Sequence, residues 1–131
     1  MEWKYKGKQF TDTANFIGFV YIITNRIDNR RYIGKKLFWF TKTKKIKGKN
    51  KRIKTESDWL TYWSSSEELK ADVSRLGEKN FKREIIHLCK NKGTLNYLEA
   101  KEQFLNNVLE EEGWYNGYIM CRCNRSHVKL S

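Results

Sequence analysis

The chain has 131 residues, one domain's worth with a single core, and 27 Lys+Arg against 15 Asp+Glu give it a formal net charge of +12. Hydrophobic residues at 39% and aromatics at 15% exclude a disordered polyelectrolyte, and the longest apolar run, Phe16 to Ile23, falls far short of the roughly 20 residues that span a bilayer. Three cysteines are too few for a disulfide scaffold and Lys4, Lys6 and Lys8 lead into no apolar stretch, so the expectation is an intracellular, cytoplasmic protein with reduced thiols and no cleaved signal.

The first fifteen residues are polar with Trp3, Tyr5 and Phe10 loosely spaced, and suit either an arm or an edge strand. Gly18 to Thr24 (GFVYIIT) is β-branched and aromatic and predicts a strand. Asn25 to Arg30 has turn composition and Arg31 to Gly34 predicts a second, short strand, so the two form a hairpin. After Gly34 the periodicity breaks into a long loop or irregular insertion over 35–54, with Gly48-Lys49-Asn50 as its tip. Ser57 or Asp58 can cap a short helix carrying Trp59, Tyr62 and Trp63 at core spacing.

Ser64 to Ser66 before Glu67 and Glu68 marks a helix start, hydroxyl caps followed by acids near the positive dipole end. Leu69, Val73 and Leu76 supply its apolar stripe and Gly77 its stop. Phe81 to Leu88 predicts a third strand. Leu95 to Glu112 predicts the longest helix, with Leu95, Leu98, Phe104, Leu105, Val108 and Leu109 apolar and Gly113 at its end. The order predicts one α/β layer domain over 1–131, a small three-stranded antiparallel sheet flanked by helices, with a basic insertion after the second strand.

Charge is concentrated at one end of the chain. Residues 1–54 hold 16 Lys+Arg and 3 acids, whereas residues 55–131 hold 11 and 12. Lys35, Lys36, Lys42, Lys44, Lys45, Lys47, Lys49, Lys51, Arg52 and Lys54 share one acid-free block. Such a block repels itself unless a polyanion neutralises it, and nucleic acid gains affinity by releasing counterions from each phosphate contacted. A membrane surface fits less well, because the block lacks the apolar face of an interfacial helix.

Tyr21 and Tyr32 fall on the two hairpin strands. If the strands pair across Asn25–Arg30, alternation puts both tyrosines on one face and Ile22 and Ile33 on the other. Cross-strand packing alone accounts for such a pair. Yet Gly18-Phe19-Val20-Tyr21, ten residues, then Tyr32-Ile33-Gly34 resembles the signature of the GIY-YIG endonucleases, of the small phage-like or homing type. Ser64-Ser65-Ser66 before a helix ending in Gly77, the strand Phe81–Leu88, Tyr97-Leu98-Glu99-Ala100 on the last helix, and Tyr115-Asn116 continue the likeness over about residues 16–118.

The resemblance implies metal-dependent hydrolysis of phosphodiesters in DNA, expected to be double-stranded. Glu99 would hold the metal, Mg²⁺ or another divalent cation such as Mn²⁺, since a lone carboxylate suits an ion that keeps most of its waters. Tyr21 or Tyr32 would position or deprotonate the attacking water, with Lys35 and Lys36 favouring the phenolate. Asn116 would support the site by hydrogen bonding, and Gly34 would let the backbone approach the substrate. Glu102, one turn along, rivals Glu99. Where the family carries an arginine on a helix about ten residues after the second tyrosine, this chain has Lys42. Lys36 is the first replacement, on the same strand face as Tyr32 and Gly34, with Arg52 and then Lys35 behind it. That departure leaves a second function open, a nucleic-acid-binding domain without turnover.

Two weaker patterns remain. Cys121, Cys123 and His127, with Cys89 and His87 further off, could bind zinc, although Cys-X-Cys is not the usual spacing and idle thiols suit the pattern better. Phe38, Trp39 and Phe40 suit base stacking and packing equally. A monomer and a dimer are both open.

Overall fold

A computed structural model describes residues 2–130. The strands are β1 (Trp3–Tyr5), β2 (Lys8–Gln9), β3 (Gly18–Asn25), β4 (Arg31–Leu37), β5 (Trp39–Ile46), β6 (Lys49–Glu56) and β7 (Phe81–Cys89). Two α-helices, α1 (Glu67–Leu76) and α2 (Lys92–Leu105), accompany them. Five strands form one sheet in the order β2-β1-β7-β3-β4, while β5 and β6 form a sheet of their own.

The expected antiparallel trio is present as β7-β3-β4. It is enlarged by β1, which lies parallel to β7, and by β2, which folds back antiparallel on β1. The three-stranded description is therefore corrected to five strands in a mixed sheet. Trp3 holds the additional strand in place. Its ring is 2% exposed, and its indole N–H donates to the Trp59 carbonyl at 2.7 Å. The flanking Glu2 and Lys4 hide that burial from a local reading.

Alternation along β3 separates two apolar layers. Phe19, Tyr21 and Ile23 pack with Trp3, Phe38, Trp59, Leu69 and Val73 on the α1 side. Val20 and Ile33 pack with Leu95, Val108 and Trp114 on the α2 side. Helix α1 starts as its sequence predicts: the Ser66 hydroxyl accepts from the Leu69 N–H at 3.2 Å and Gly77 ends the helix at φ +91°.

Helix α2 departs from expectation at both ends. It starts at Lys92, capped by Asn91, and stops at Leu105 rather than Glu112. Asn106 caps it with a bond to the Glu102 carbonyl, and Asn107 takes a positive φ of 54° that no helix accommodates. Phe104, Leu105 and Leu109, apolar positions of the predicted helix, are exposed.

The basic insertion is not a loop. Lys35 and Lys36 belong to β4, and residues 39–56 form an antiparallel ribbon in register from Trp39↔Glu56 to Ile46↔Lys49. Its two-residue turn is Lys47-Gly48, both at positive φ, rather than Gly48-Lys49-Asn50. Alternating Thr, Ile, Trp and Phe supply strand propensity that the lysines obscure. The short helix expected over 59–63 is a single 3-10 turn, Trp59–Thr61. Among the described residues no helix is long and apolar enough to cross a membrane.

Candidate active site

Strand β4 is an edge of the main sheet, so its outer backbone groups need partners from elsewhere. Gly113 and Tyr115 supply backbone bonds to Arg31. Beyond them, the Asn116 amide takes the place of a neighbouring strand. Its Oδ1 accepts from the Ile33 N–H at 3.1 Å and its Nδ2 donates to the Ile33 carbonyl at 2.8 Å. Gln103 Nε2 donates to the same carbonyl at 2.9 Å. Thus α2 and the chain after it are stitched to the strand that carries Tyr32.

Around this stitched edge lies a cavity of about 600 Å³. Tyr21, Tyr32 and Lys35 come to it from the hairpin; Tyr62, Ser65 and Ser66 from the approach to α1; Asn96, Glu99 and Gln103 from one face of α2; and Asn116, Tyr118 and Arg122 from the tail. Register explains the tyrosine pair. Tyr21 faces Gly34 and Ile23 faces Tyr32, so the two phenols are diagonal neighbours on one face. Their ring centroids are 6.1 Å apart at an interplanar angle of 29°.

A Cβ on Gly34 would lie 2.5 Å from the Tyr21 hydroxyl and 2.7 Å from Tyr32 Cε1. The space that Gly34 leaves is therefore filled by the protein's own phenols, and a side chain here would displace the tyrosine pair.

The Tyr32 hydroxyl hydrogen-bonds with that of Ser65 at 3.1 Å. Tyr21 is 1% exposed and lies deeper, beside Tyr62. Burial raises the Tyr21 phenol well above its ordinary value, with Tyr62 and Tyr32 adding to the effect. Burial also raises Tyr32, although its bond to Ser65 opposes the shift. Neither Lys35 nor Lys36 is the main influence on the two phenols; desolvation is, and it disfavours the phenolate.

Glu99 is the carboxylate that α2 presents to the cavity. Burial raises its pKa, and Lys35, with Nζ 3.8 Å from Oε1, pulls it partly back. Lys35 also donates to Asn96 Oδ1. Glu102 is engaged elsewhere: Oε1 lies 2.9 Å from His87 Nε2, on the β7 side. The donor set around Glu99 fits a hard divalent cation. A desolvated carboxylate faces a cavity large enough for waters, with Glu67 also on its wall, and one or two carboxylates with waters is how Mg²⁺ is commonly held.

Over residues 3–119 the chain matches the family described as "Putative endonuclease segE, GIY-YIG domain". The chain belongs to the GIY-YIG endonuclease family. No curated protein and no solved structure matches it. The family match starts at β1, which the motif-based boundary near residue 16 leaves out.

Within this GIY-YIG domain the cations fall into three places. Lys35 and Arg122 line the cavity. Lys36 shares the tyrosine face, but its ammonium is 2.6 Å from Asp58 and 4.1 Å from the Tyr62 ring centroid. Lys42, Lys44, Lys45, Lys47, Lys49, Lys51, Arg52 and Lys54 all lie on the β5–β6 ribbon.

Tyr62, Ser65, Asn96 and Gln103 were not foreseen as site residues. Asn96 and Gln103 stand three before and four after Glu99, a helical-face spacing that was readable once Glu99 was chosen. Ser65 was legible only as a helix-start residue and Tyr62 only as core. Arg122 could be read as a basic tail residue, but nothing local brings it to the cavity.

Cys121 and Cys123 have sulfurs 3.7 Å apart on the surface, and Cys89 is buried with its thiol raised to about 11. Among the described residues no group of three or more His, Cys, Asp and Glu is placed to hold a metal ion. Phe38 is core, the Trp39 indole donates to the Phe16 carbonyl at 3.1 Å, and Phe40 is exposed.

Proposed function

We propose that the protein is a divalent-metal-dependent endonuclease that hydrolyses phosphodiester bonds of double-stranded DNA in the cavity between β4 and α2. The observation that supports this most is the convergence of Tyr32, Lys35 and Glu99 on one cavity. Glu99 would hold Mg²⁺ or Mn²⁺, and its raised pKa means that cation binding competes with protonation. A bound ion supplies positive charge for the scissile phosphate and makes a water easier to ionise.

The chain's own residues do the rest. Lys35 is within reach of both Glu99 and a phosphate oxygen, and it exchanges its 3.8 Å contact with the carboxylate for the anion when substrate enters. Arg122 brings a planar donor fork from the tail, suited to two phosphate oxygens. Lys36 is the more distant cation, because Asp58 already holds it. Tyr32, as a neutral phenol held by Ser65, orients the attacking water through its hydroxyl. Tyr21 backs that ring by stacking. Asn116 fixes the β4 edge with both halves of its amide occupied, so it acts as a positioning residue.

A second reading, a DNA-binding domain without turnover, is favoured by one observation. Lys42, which stands where the family carries its arginine, lies on the separate ribbon rather than in the cavity. Supercoiled plasmid separates the two readings. The nuclease nicks or linearises it with Mg²⁺, not with EDTA, and not after Glu99→Ala. A pure binder gives a mobility shift and no metal-dependent cleavage.

A further inference from the structure

The β5–β6 ribbon carries eight of the basic residues and one acid, Glu56, at its base. Among the described residues none of the eight forms an ion pair. Lys54 lies over the Trp39 ring at 5.0 Å. The register divides them between two faces. Lys45, Arg52 and Lys54 share the face of Trp39, Thr41, Thr43 and Asn50. Lys42, Lys44, Lys49 and Lys51 share the opposite face with Phe40, Ile46 and Ile53. Lys47 sits in the turn.

Lys44 and Lys51 stand directly opposite each other, an arrangement that destabilises a free hairpin. Beyond Trp39, which packs on the main core at the base, neither face has a core to bury, so the charges are not placed to hold the ribbon together. They are placed to meet negative charge on two sides.

A ribbon lying flat on a DNA backbone would need only one basic face. Two basic faces suit a slot with an anionic wall on each side. With side chains, a single sheet is about 10 Å thick, and the B-DNA major groove is about 12 Å wide and about 8.5 Å deep, against about 6 Å width for the minor groove. Eight-residue strands reach about 26 Å at roughly 3.3 Å per residue, enough to cross the groove with length to spare. The base is rigid: Phe38 is fully buried, its N–H donates to the Ile17 carbonyl at 2.9 Å, and the Ser57 N–H donates to the Phe38 carbonyl at 2.8 Å. One residue separates Leu37 from Trp39, so the ribbon continues the strand that carries Tyr32 and Lys35.

We propose that the β5–β6 ribbon inserts edge-on into the DNA major groove, with its two basic faces against the phosphates of opposite strands, and thereby sets the position of the β4–α2 cavity on the adjoining backbone. The choice of DNA as the polyanion rests on the endonuclease reading; the placement rests on the ribbon's register and charge.

The test uses the full chain and a fluorescent duplex, with binding measured by anisotropy across a salt series. One variant carries Lys45→Gln, Arg52→Gln and Lys54→Gln; the other carries Lys44→Gln, Lys49→Gln and Lys51→Gln. Each is expected to lower the slope of log affinity against log salt by about 2 to 3 units, from about 0.9 per phosphate contact. The major-groove ligand methyl green is expected to displace the wild type, and the minor-groove ligand netropsin to leave it bound.

A slope change confined to one face means that the ribbon lies flat and overturns the proposal. No change for either face, or displacement by netropsin alone, overturns it too. Plasmid cleavage by the wild type is read separately. Cleavage with no face effect sinks the ribbon placement alone, and two-faced binding with no cleavage sinks the nuclease reading alone.

Discussion

The β4–α2 cavity and the β5–β6 ribbon use charge in opposite ways. At the cavity burial raises the pKa values of Tyr32 and Glu99, which are held by Ser65 and Lys35, while Asn116 holds the β4 edge. On the ribbon many lysines stand in water with neither a core nor ion-pair partners among the described residues. Burial tunes and orients groups for chemistry, whereas exposed charge supplies affinity that salt can screen. Substitutions in the cavity should therefore alter turnover at constant binding, and substitutions on the ribbon should do the reverse.

The largest break in that contrast is expected at the phenol. Tyr32→Phe removes one hydroxyl from the cavity and should lower plasmid cleavage by about 10²-fold or more, with duplex affinity nearly intact by anisotropy. Unchanged cleavage would remove Tyr32 from the mechanism. Lys35→Ala should lower turnover more than affinity, and Lys36→Ala less than Lys35→Ala, because Asp58 already occupies Lys36. The reverse order would put Lys36 at the phosphate.

The next contrast is between two glycines. Gly34→Ala pushes a methyl into the Tyr21 phenol and should destabilise the fold by about 1 to 3 kcal/mol, read from denaturant melts. Gly48→Ala at the ribbon turn meets no neighbouring atom and is strained only by its positive φ of 75°, so its cost should be about 1 kcal/mol. Equal losses would mean that the tyrosine pair is looser than its geometry indicates.

The smallest effect sharpens the electrostatic side. Burial raises the native Glu99 pKa above its unfolded value, so the native state binds more protons than the unfolded one between the two values. Glu99 therefore costs stability as pH rises through that window, starting at the ordinary glutamate range. Glu99→Gln should raise the Tm at pH 7 relative to wild type and change it little at pH 4. Cleavage should fall on acidification at a pH above the ordinary glutamate range, because protonation of Glu99 would compete with the proposed cation. A Tm difference that does not vary with pH would contradict the desolvated carboxylate.

How much of this was legible in the sequence depended on whether the cause was local. The hairpin register, the shared face of Tyr21 and Tyr32, and the Ser66 and Gly77 boundaries of α1 follow from alternation and capping within short windows. The parallel pairing of β1 with β7 joins Trp3 to Arg83 across most of the chain, and no local pattern announces it. The end of α2 was overrun because Val108 and Leu109 continue an apolar rhythm past Asn106 and Asn107, where the backbone has already turned. The ribbon was read as a loop because its charge masked an alternation that the register makes plain. Glu99 follows from its motif and Asn96 from the helical spacing around it, whereas Ser65 and Arg122 reach the cavity through tertiary packing alone.

The central claim is that one divalent ion is held by Glu99 in the cavity beside Tyr32 and Lys35. Electron paramagnetic resonance of Mn²⁺ titrated into the full chain with a duplex, in wild type and Glu99→Gln, measures it directly. The account predicts one bound ion per wild-type chain and at least a tenfold weaker affinity in the variant, with duplex binding unchanged. Equal Mn²⁺ affinity in the two proteins would contradict it.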